Sequence, residues 1–309
     1  MQNPISSSFN LFAAPFTPFR TDGSVHLDLI PVLVEKLIAD GLTGAFVCGT
    51  NGEGPSLTIA ERMAIAEAFV QAAQKRLKIW VHVGHSSIAE ARALMQHAHL
   101  IGADAASAVA AFYFKPSSVE NLVDCMAQIA EAAPQLPFYY YHIPSVTGIQ
   151  VDLLRFLKIA QHKIPNLQGI KFTAYTLWEY QACLVEFGSR YEFLYGHDEM
   201  LLPALSIGSR GAIGSTYNFA APQFREVVAA FDEGNLPQAQ ALMNPLAQIV
   251  RVLLQYPLIP SQRSIMRWLG YDLGPCRLPL QNLTAAQEQA LSQDLKAVGF
   301  DKMLKIRLP

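Results

Sequence analysis

The order of apolar and amphipathic segments constrains the fold of this chain more than any other feature. Eight short apolar segments, each followed by a longer polar or amphipathic segment, occupy about the first 230 residues. Strands that alternate with helices predict a parallel sheet, because parallel neighbours need a crossover connection. Eight such units predict a closed (β/α)8 TIM barrel, whose usual length is about 250 residues. An open doubly wound sheet is the alternative, and the absence of Gly-x-Gly-x-x-Gly after the first apolar segment weakens it.

Capping and breaking residues set the boundaries of the predicted elements. Thr58 with Glu61 and Ser87 with Glu90 have the spacing of capping boxes, and Pro116 begins the next helix. Beyond Ala230 only helical patterns occur. We therefore predict a barrel over residues 1–232 and a C-terminal helical extension over residues 233–309, packed on the barrel in a single domain overall. The predicted strands cover residues 11–14, 44–48, 79–83, 105–110, 137–141, 167–173, 191–195 and 211–213.

Composition excludes several classes of protein. With 51% hydrophobic and 16% charged residues among 309, the chain can bury a sizeable core. A net charge of -2 without long runs of one sign argues against a nucleic-acid-binding protein. No uncharged apolar run is long enough to span a membrane, and residues 1–10 lack the basic start and apolar centre of an export signal. We expect a cytoplasmic protein with no membrane association.

The cysteines and histidines show no metal-binding spacing. Cys48, Cys125, Cys183 and Cys276 are far apart, so they form neither a zinc motif nor a disulfide framework. The eight histidines include no His-Glu-x-x-His or comparable cluster. We expect reduced thiols and no metal.

One lysine stands near the end of the sixth apolar segment, Leu167-Gln-Gly-Ile-Lys-Phe-Thr173. In a strand, Gly169, Lys171 and Thr173 share one face, and Ile170 and Phe172 share the other. An ammonium group among apolar residues is costly, so the pKa of Lys171 should fall toward neutrality, and a neutral amine can form a Schiff base with a carbonyl. The alternative is a strand-end lysine that reaches solvent.

Further polar residues follow the predicted strands at the end where barrel enzymes place their active sites. Thr50, Asn51 and Glu53 lie in a glycine-rich loop whose N–H groups can bind a carboxylate or phosphate, unless the loop is only a tight turn. Tyr141 ends the fifth strand and is either a proton shuttle or a packing residue.

The seventh and eighth strands are also followed by polar residues. Asp198 and Glu199 can accept hydrogen bonds from sugar hydroxyls or cap a helix, and Ser215 and Thr216 can donate to a ligand or cap the next helix. A lysine, a phenol, hydroxyls and carboxylates at one rim fit Schiff-base carbon–carbon chemistry.

Four motifs in combination give the chain a recognisable resemblance. They are Gly49-Thr-Asn-Gly-Glu53, Tyr141-His-Ile-Pro144, Gly169-Ile-Lys-Phe-Thr173 and Gly211-Ala-Ile-Gly-Ser215. Over residues 11–222 the chain resembles the N-acetylneuraminate lyase and dihydrodipicolinate synthase family of class I, pyruvate-dependent aldolases. Tyr-His-Ile-Pro, Gly-x-Asp-Glu at residues 196–199 and Gly-Ser-Thr-Tyr-Asn at residues 214–218 are most similar to the sialate-cleaving members, and residues 274–279 resemble the tail of animal members.

The resemblance implies a reaction and a role for each matching residue. The expected reaction is the reversible cleavage of N-acetylneuraminate to N-acetylmannosamine and pyruvate, with no cofactor. Lys171 would form the Schiff base, and Tyr141 would relay the proton at the hydroxyl that becomes the aldehyde. Thr50 and Asn51 would hold the pyruvate carboxylate. The residues that would line the sugar end are Thr173, Gly196, Asp198, Glu199 and Ser215.

Two departures from the family pattern bear on the substrate. Asn51 stands where the family usually has Thr or Ser, although an amide can also donate to a carboxylate. Val146 stands where dihydrodipicolinate synthases carry an arginine, which counts against synthase activity. Tyr113 matches a family tyrosine that crosses a subunit interface, and the family is usually tetrameric, so the resemblance implies a homotetramer.

Two other functions remain open at this point. The first is another pyruvate-dependent 2-keto-3-deoxy sugar acid aldolase or a dihydrodipicolinate synthase-like enzyme, and the second is a non-catalytic sialate-binding relative. The pair Asp198 and Glu199 favours a long polyol substrate, and the pair Lys171 and Tyr141 favours a catalyst over a binder.

Overall fold

The computed structural model describes residues 9–309, and eight parallel strands close into a barrel in the order β1 to β8, with β8 paired to β1. The predicted (β/α)8 TIM barrel is therefore confirmed. The expectation of no export signal rests on residues 1–10, of which residues 1–8 lie outside the described residues. The strands are β1 Asn10–Ala13, β2 Gly44–Val47, β3 Lys78–His82, β4 Ala105–Val109, β5 Phe138–His142, β6 Leu167–Phe172, β7 Glu192–Tyr195 and β8 Gly211–Gly214.

Helices connect the strands and continue past β8. Those of the barrel are α1 Ile30–Ala39, α2 Ile59–Ala73, α3 Ile88–Leu100, α4 Val119–Ala130, α5 Pro144–Thr147, α6 Leu153–Lys163, α7 Leu177–Phe187, α8 Leu201–Ser206 and α9 Tyr217–Asp232. Those that follow are α10 Leu236–Leu253, α11 Leu258–Trp268, α12 Ala285–Ala297 and α13 Phe300–Leu304. The division into a barrel and an extension at residue 232 stays a prediction.

The structure corrects several helix boundaries. Thr58 and Glu61 form the predicted capping box, but at Ser87 only the Ser87 hydroxyl accepts a bond, from the N–H of Glu90. Helix α4 begins at Val119 with Ser118 as its cap, because the backbone around Pro116 remains non-helical. The eighth strand–helix unit predicted a helix after β8 without bounds, and the structure gives it as α9. Helix α9 is broken at Ala220, which places Pro222 in the first turn after the break, where proline is tolerated.

Alternating strand residues build two separate cores, one inside the barrel and one between the barrel and its helices. Inside, the ring of Trp80 stacks on Tyr139 at 4.0 Å and contacts Phe12 at 4.6 Å. Near the N-terminal strand ends, Glu192 accepts hydrogen bonds from Tyr139 Oη (2.8 Å) and Asn10 Nδ2 (2.6 Å). These contacts fill the N-terminal end of the barrel.

The C-terminal helices are joined to the barrel by a buried ion pair. Arg263 of α11 contacts Glu53 at 3.3 Å, in the loop after β2. The other carboxylate oxygen of Glu53 accepts the backbone N–H of Arg277 (2.9 Å), whose side chain pairs with Glu61 of α2. The Gly-Pro-Cys-Arg-Leu-Pro segment that resembles animal members therefore fastens the chain end to the barrel.

Residues 9–309 contain neither a candidate membrane-spanning helix nor a candidate metal site. No helix in this range has both the length and the apolar character needed to cross a membrane. No group of three or more His, Cys, Asp or Glu side chains in the same range is arranged to hold a metal ion.

Candidate active site

A cavity of about 220 Å³ opens at the C-terminal ends of the strands. Nine of the ten residues to which the family resemblance assigns a role line it: Thr50, Asn51, Tyr141, Lys171, Thr173, Gly196, Asp198, Glu199 and Ser215. Tyr113, the tenth, does not line this cavity, and its side chain is 78% exposed in the loop after β4. Five different strands and their loops therefore bring the nine predicted site residues together at one cavity. Tyr113, which was expected at a subunit interface, lies apart from them.

Lys171 is buried, with 4% of its surface exposed, on the inner face of β6. Its Nζ lies 4.1 Å from the ring centroids of both Phe46 and Tyr141. Burial lowers the pKa of Lys171, and the nearby Tyr141 and Asp198 oppose that effect only partly. Ile170 and Phe172, its neighbours in sequence, belong to the outer core. The face alternation deduced from the sequence thus directs Lys171 and Thr173, but neither Ile170 nor Phe172, toward the cavity.

Tyr141 stands beside Lys171 because the two residues are register partners in the pairing of β5 with β6. Its ring meets Phe46 and His82 edge-on, with centroids 5.6 and 6.0 Å apart. The preceding residue, Tyr140, points outward and packs on Phe156. Of the two tyrosines, strand alternation therefore places only Tyr141 at the cavity.

The glycine-rich loop after β2 is a tight turn that also lines the cavity. The N–H groups of Glu53 and Gly54 donate to the carbonyl oxygens of Thr50 (3.1 Å) and Gly49 (3.0 Å). A Cβ at Gly54 would lie 2.0 Å from the Cys48 carbonyl oxygen, so the turn requires glycine there. Glu53 itself turns away from the cavity to the ion pair with Arg263. Of the three polar residues noted in this loop, Thr50 and Asn51 belong to the site and Glu53 belongs to the interface with α11.

Asp198 is a buried carboxylate that is only half satisfied. Its Oδ2 accepts hydrogen bonds from the Thr216 backbone N–H (2.8 Å) and Oγ1 (2.7 Å), so Thr216 supports Asp198 and its side chain caps no helix. Its Oδ1 has no hydrogen-bond partner among residues 9–309. Burial raises the pKa of Asp198 to about 6, although the Thr216 bonds and the Lys171 charge act in the opposite direction. A Cβ at Gly214 would lie 1.5 Å from Oδ1, so glycine leaves the room that this carboxylate occupies.

The second acidic residue is held by aromatic neighbours. Tyr175 Oη donates to Glu199 Oε1 (2.9 Å), and the Tyr175 ring stacks on His197 at 3.9 Å. Burial raises the pKa of Tyr175 to about 12 and lowers that of His197. Close by, a Cβ at Gly196 would meet Thr173 Oγ1 at 1.9 Å. Glycine at 196 thus permits the Thr173 hydroxyl, which has no partner among the described residues, to approach this edge.

Several residues that line the cavity were not predicted to do so. Ser145 comes from α5, and Tyr175 and His197 come from the loops after β6 and β7. An apolar wall with one amide comes from α10, the residue that follows it, and α11: Val250, Leu253, Leu254, Leu258 and Gln262. Ser145, Tyr175 and His197 lie within a few positions of the motifs and could have been found from that proximity. The C-terminal residues could not, because nothing in a helical pattern reveals which barrel end it covers.

Comparisons with known proteins agree with this geometry. Residues 7–298 match the Dihydrodipicolinate synthetase family. The chain is 39% identical to the N-acetylneuraminate lyase of Xenopus tropicalis over 274 residues, covering 87% of this chain and 90% of that protein. Among solved structures, it aligns with the Proteus mirabilis N-acetylneuraminate lyase with a TM-score of 0.91 and 39% identity, over 94% of this chain and 99% of the other. It also aligns with a dihydrodipicolinate synthase of Bacillus anthracis, with a TM-score of 0.88 and 26% identity, over 98% and 100% of the two chains.

Proposed function

Because the chain belongs to the dihydrodipicolinate synthetase family, we propose that it cleaves N-acetylneuraminate reversibly to N-acetylmannosamine and pyruvate, through a Schiff base on Lys171. The chain is a carbon–carbon lyase of the class I aldolase type. The relatives named N-acetylneuraminate lyase, which match most of its length, support this choice of substrate.

One observation carries the proposal. Lys171 is buried at the cavity against two aromatic faces and forms no ion pair with another described residue. A buried ammonium without a carboxylate partner is costly, so the neutral amine is favoured relative to a lysine in water. A neutral amine beside a phenol is the pair that imine formation and a subsequent proton transfer need.

The proposed reaction begins with attack of Lys171 Nζ on the C2 keto carbon of open-chain N-acetylneuraminate. Loss of water leaves an iminium ion, which withdraws the electron pair of the C3–C4 bond as that bond breaks. Tyr141 relays the proton that leaves the C4 hydroxyl, and N-acetylmannosamine departs as the aldehyde. Protonation of the enamine at C3 and addition of water then release pyruvate and restore the amine.

The remaining polar residues fit the two ends of such a substrate. Thr50 and Asn51 can donate to the carboxylate next to C2, through side chains that line the cavity. At the opposite edge, Asp198 Oδ1 and Thr173 Oγ1 lack partners within the described chain, and each would gain one from a sugar hydroxyl. A polyol tail thus removes the cost of burying these atoms.

Synthase-like activity has weaker support. Val146 lines the cavity mouth and offers an exposed apolar side chain where dihydrodipicolinate synthases carry an arginine. An apolar residue cannot pair with a substrate carboxylate, so the acidic substrate of a synthase lacks a cation here.

Trapping the imine tests the proposal. The protein is incubated with pyruvate and borohydride, digested, and its peptides are weighed. We expect a reduced pyruvyl adduct on Lys171, together with release of pyruvate from N-acetylneuraminate in a separate assay. An adduct on another lysine, or none, would overturn the Schiff-base role, and trapping without cleavage of N-acetylneuraminate would overturn the substrate assignment.

A homotetramer and a cytoplasmic location are further parts of this proposal. The exposed aromatic side chains of Tyr113 and Phe114, in the loop after β4, support contact with a second subunit. Light scattering after size-exclusion chromatography would give the mass of a tetramer, about four times 34.0 kDa. A monomer of that chain mass would contradict the assembly.

A further inference from the structure

Gln262 is a polar residue at the cavity for which the proposed reaction gives no role. Its side chain lines the cavity from α11, yet the residue is only 1% exposed, and its Oε1 has no hydrogen-bond partner among residues 9–309. A buried amide oxygen without a donor is unfavourable, so such an atom needs an explanation. A donor supplied by the substrate provides one.

The neighbouring residue fixes α11 against the barrel rim. Arg263 donates to the Thr17 carbonyl oxygen (2.9 Å) and pairs with Glu53, both from loops at the C-terminal ends of β1 and β2. Ser261 bonds within the helix, to the Leu258 carbonyl oxygen (2.9 Å). Because Arg263 is bonded to the barrel backbone, Gln262 is held at the cavity by its own helix, independently of any ligand.

The surface around Gln262 differs from the rest of the cavity. Val250, Leu253, Leu254 and Leu258 form an apolar wall on α10 and α11, whereas the strand-end side of the cavity is lined mainly by polar residues. A substrate group that fits this wall carries an apolar part and one hydrogen-bond donor. Free hydroxyls and carboxylates lack the apolar part.

We propose that Gln262 and the apolar wall recognise the N-acyl group of the sugar, with Oε1 accepting the amide N–H and the wall packing on the acyl methyl. This assignment rests on the proposed function. The carboxylate is allotted to Thr50 and Asn51 and the polyol to Asp198 and its neighbours, so the acetamido group is the substrate feature that remains. Its methyl group fits the apolar wall, and its N–H can donate to the unpaired Oε1 of Gln262.

The experiment measures kcat/KM for the condensation of pyruvate with each of two aldehyde sugars. These are N-acetylmannosamine and mannose, which differ at one position. For the wild-type protein we expect higher kcat/KM with N-acetylmannosamine. Gln262→Leu should lower kcat/KM for N-acetylmannosamine about tenfold, mainly through KM, and leave mannose within about twofold. Gln262→Met keeps the side-chain length and provides a second variant in case the leucine variant misfolds. It should show the same changes in kcat/KM as Gln262→Leu. Gln289→Leu, at an exposed position of α12, is the matched control and should change neither sugar.

Borohydride trapping of pyruvate separates this inference from the reaction itself. Wild type and both Gln262 variants should trap pyruvate on Lys171 equally, because the acyl site lies apart from the carboxylate site. Equal losses with both sugars, no loss with either, or a loss of trapping would overturn the role of Gln262. Failure of the wild type to trap pyruvate would instead overturn the proposed function on which the inference rests.

Discussion

Two buried cations near the rim of the barrel have contrasting environments. Arg263 and Lys171 are each only 4% exposed. Arg263 donates to Thr17, to the backbone carbonyl oxygens of residues 273–275 and to Glu53. Lys171 lies between the faces of Phe46 and Tyr141 and has no ion-pair partner among the described residues.

The contrast separates a cation that holds the fold from one that is available for chemistry. The guanidinium of Arg263 remains protonated and its donors are used, so it fixes α11 at the rim. The amine of Lys171 loses its proton more readily because burial is not offset by a carboxylate contact. Stability should therefore depend on Arg263, and reactivity should depend on Lys171.

Substitution of Lys171 should have the largest effect on activity. Lys171→Met removes the nucleophile, so turnover of N-acetylneuraminate should fall by at least about 10³-fold, with no pyruvate trapping. Its thermal midpoint should match or exceed that of wild type, because an apolar side chain replaces a buried cation without a partner. A clear drop in midpoint, measured by calorimetry, would show that Lys171 is a structural cation like Arg263.

Substitution of Arg263 should have the largest effect on stability. Arg263→Met leaves Glu53 buried without its partner, and we expect a loss of about 3–5 kcal/mol in the free energy of unfolding by denaturant titration. Arg267→Met, on the same helix but in the partly exposed pair with Glu288, is the matched control and should lose less than about 1 kcal/mol. Similar losses of unfolding free energy for the two variants would show that Arg263 stabilises the fold no more than a partly exposed ion pair does.

The buried carboxylate of the site gives a pH-dependent prediction. The pKa of Asp198 is raised to about 6 in the folded protein, so folding favours its protonated form. The resulting penalty is absent below about pH 4, grows as the pH rises to about 6, and then stays constant at ~3 kcal/mol. Relative to wild type, Asp198→Asn should therefore gain stability between pH 4 and 6. Parallel stability curves for the two proteins across this range would contradict the raised pKa.

A smaller effect should separate the two ends of the substrate. Asp198→Ala should lower kcat/KM for N-acetylneuraminate by about 10–100-fold, the cost of one charged hydrogen-bond acceptor, while pyruvate trapping on Lys171 changes little. Asp232→Ala, in the surface pair with Arg210, should leave both unchanged. Equal losses of cleavage and trapping would remove Asp198 from the sugar end.

Sequence reasoning found those parts of the molecule in which strand periodicity and local motifs carry the information. The alternation in Gly169-Ile-Lys-Phe directs Lys171 inward, and the end of each strand marks the rim, so the sequence alone predicted the positions of the lysine, the phenol and the acidic pair. Glu53 could not be separated from Thr50 and Asn51 in this way, because its partner Arg263 is 210 residues distant.

The rest of the site depends on long-range packing. Gln262 and the apolar wall reach the cavity because α10 packs on α9 and because Arg263 and Arg277 fasten the following segments to the barrel. A helical pattern gives the buried face of a helix but not the surface on which it docks. The half of the cavity built by helices was therefore beyond sequence reasoning, whereas most of the half built by strand ends was not.

The pKa of Lys171 tests the central contrast most directly. In protein labelled with ¹³C-lysine, the εCH₂ resonance missing from Lys171→Met identifies Lys171, and its shift is followed from pH 5 to 11. We predict a midpoint clearly below the value of about 10.4 typical of lysine in water. A midpoint at or above that value would mean that Lys171 is as well stabilised in its charged form as a lysine in water, and would contradict its role as the reactive amine.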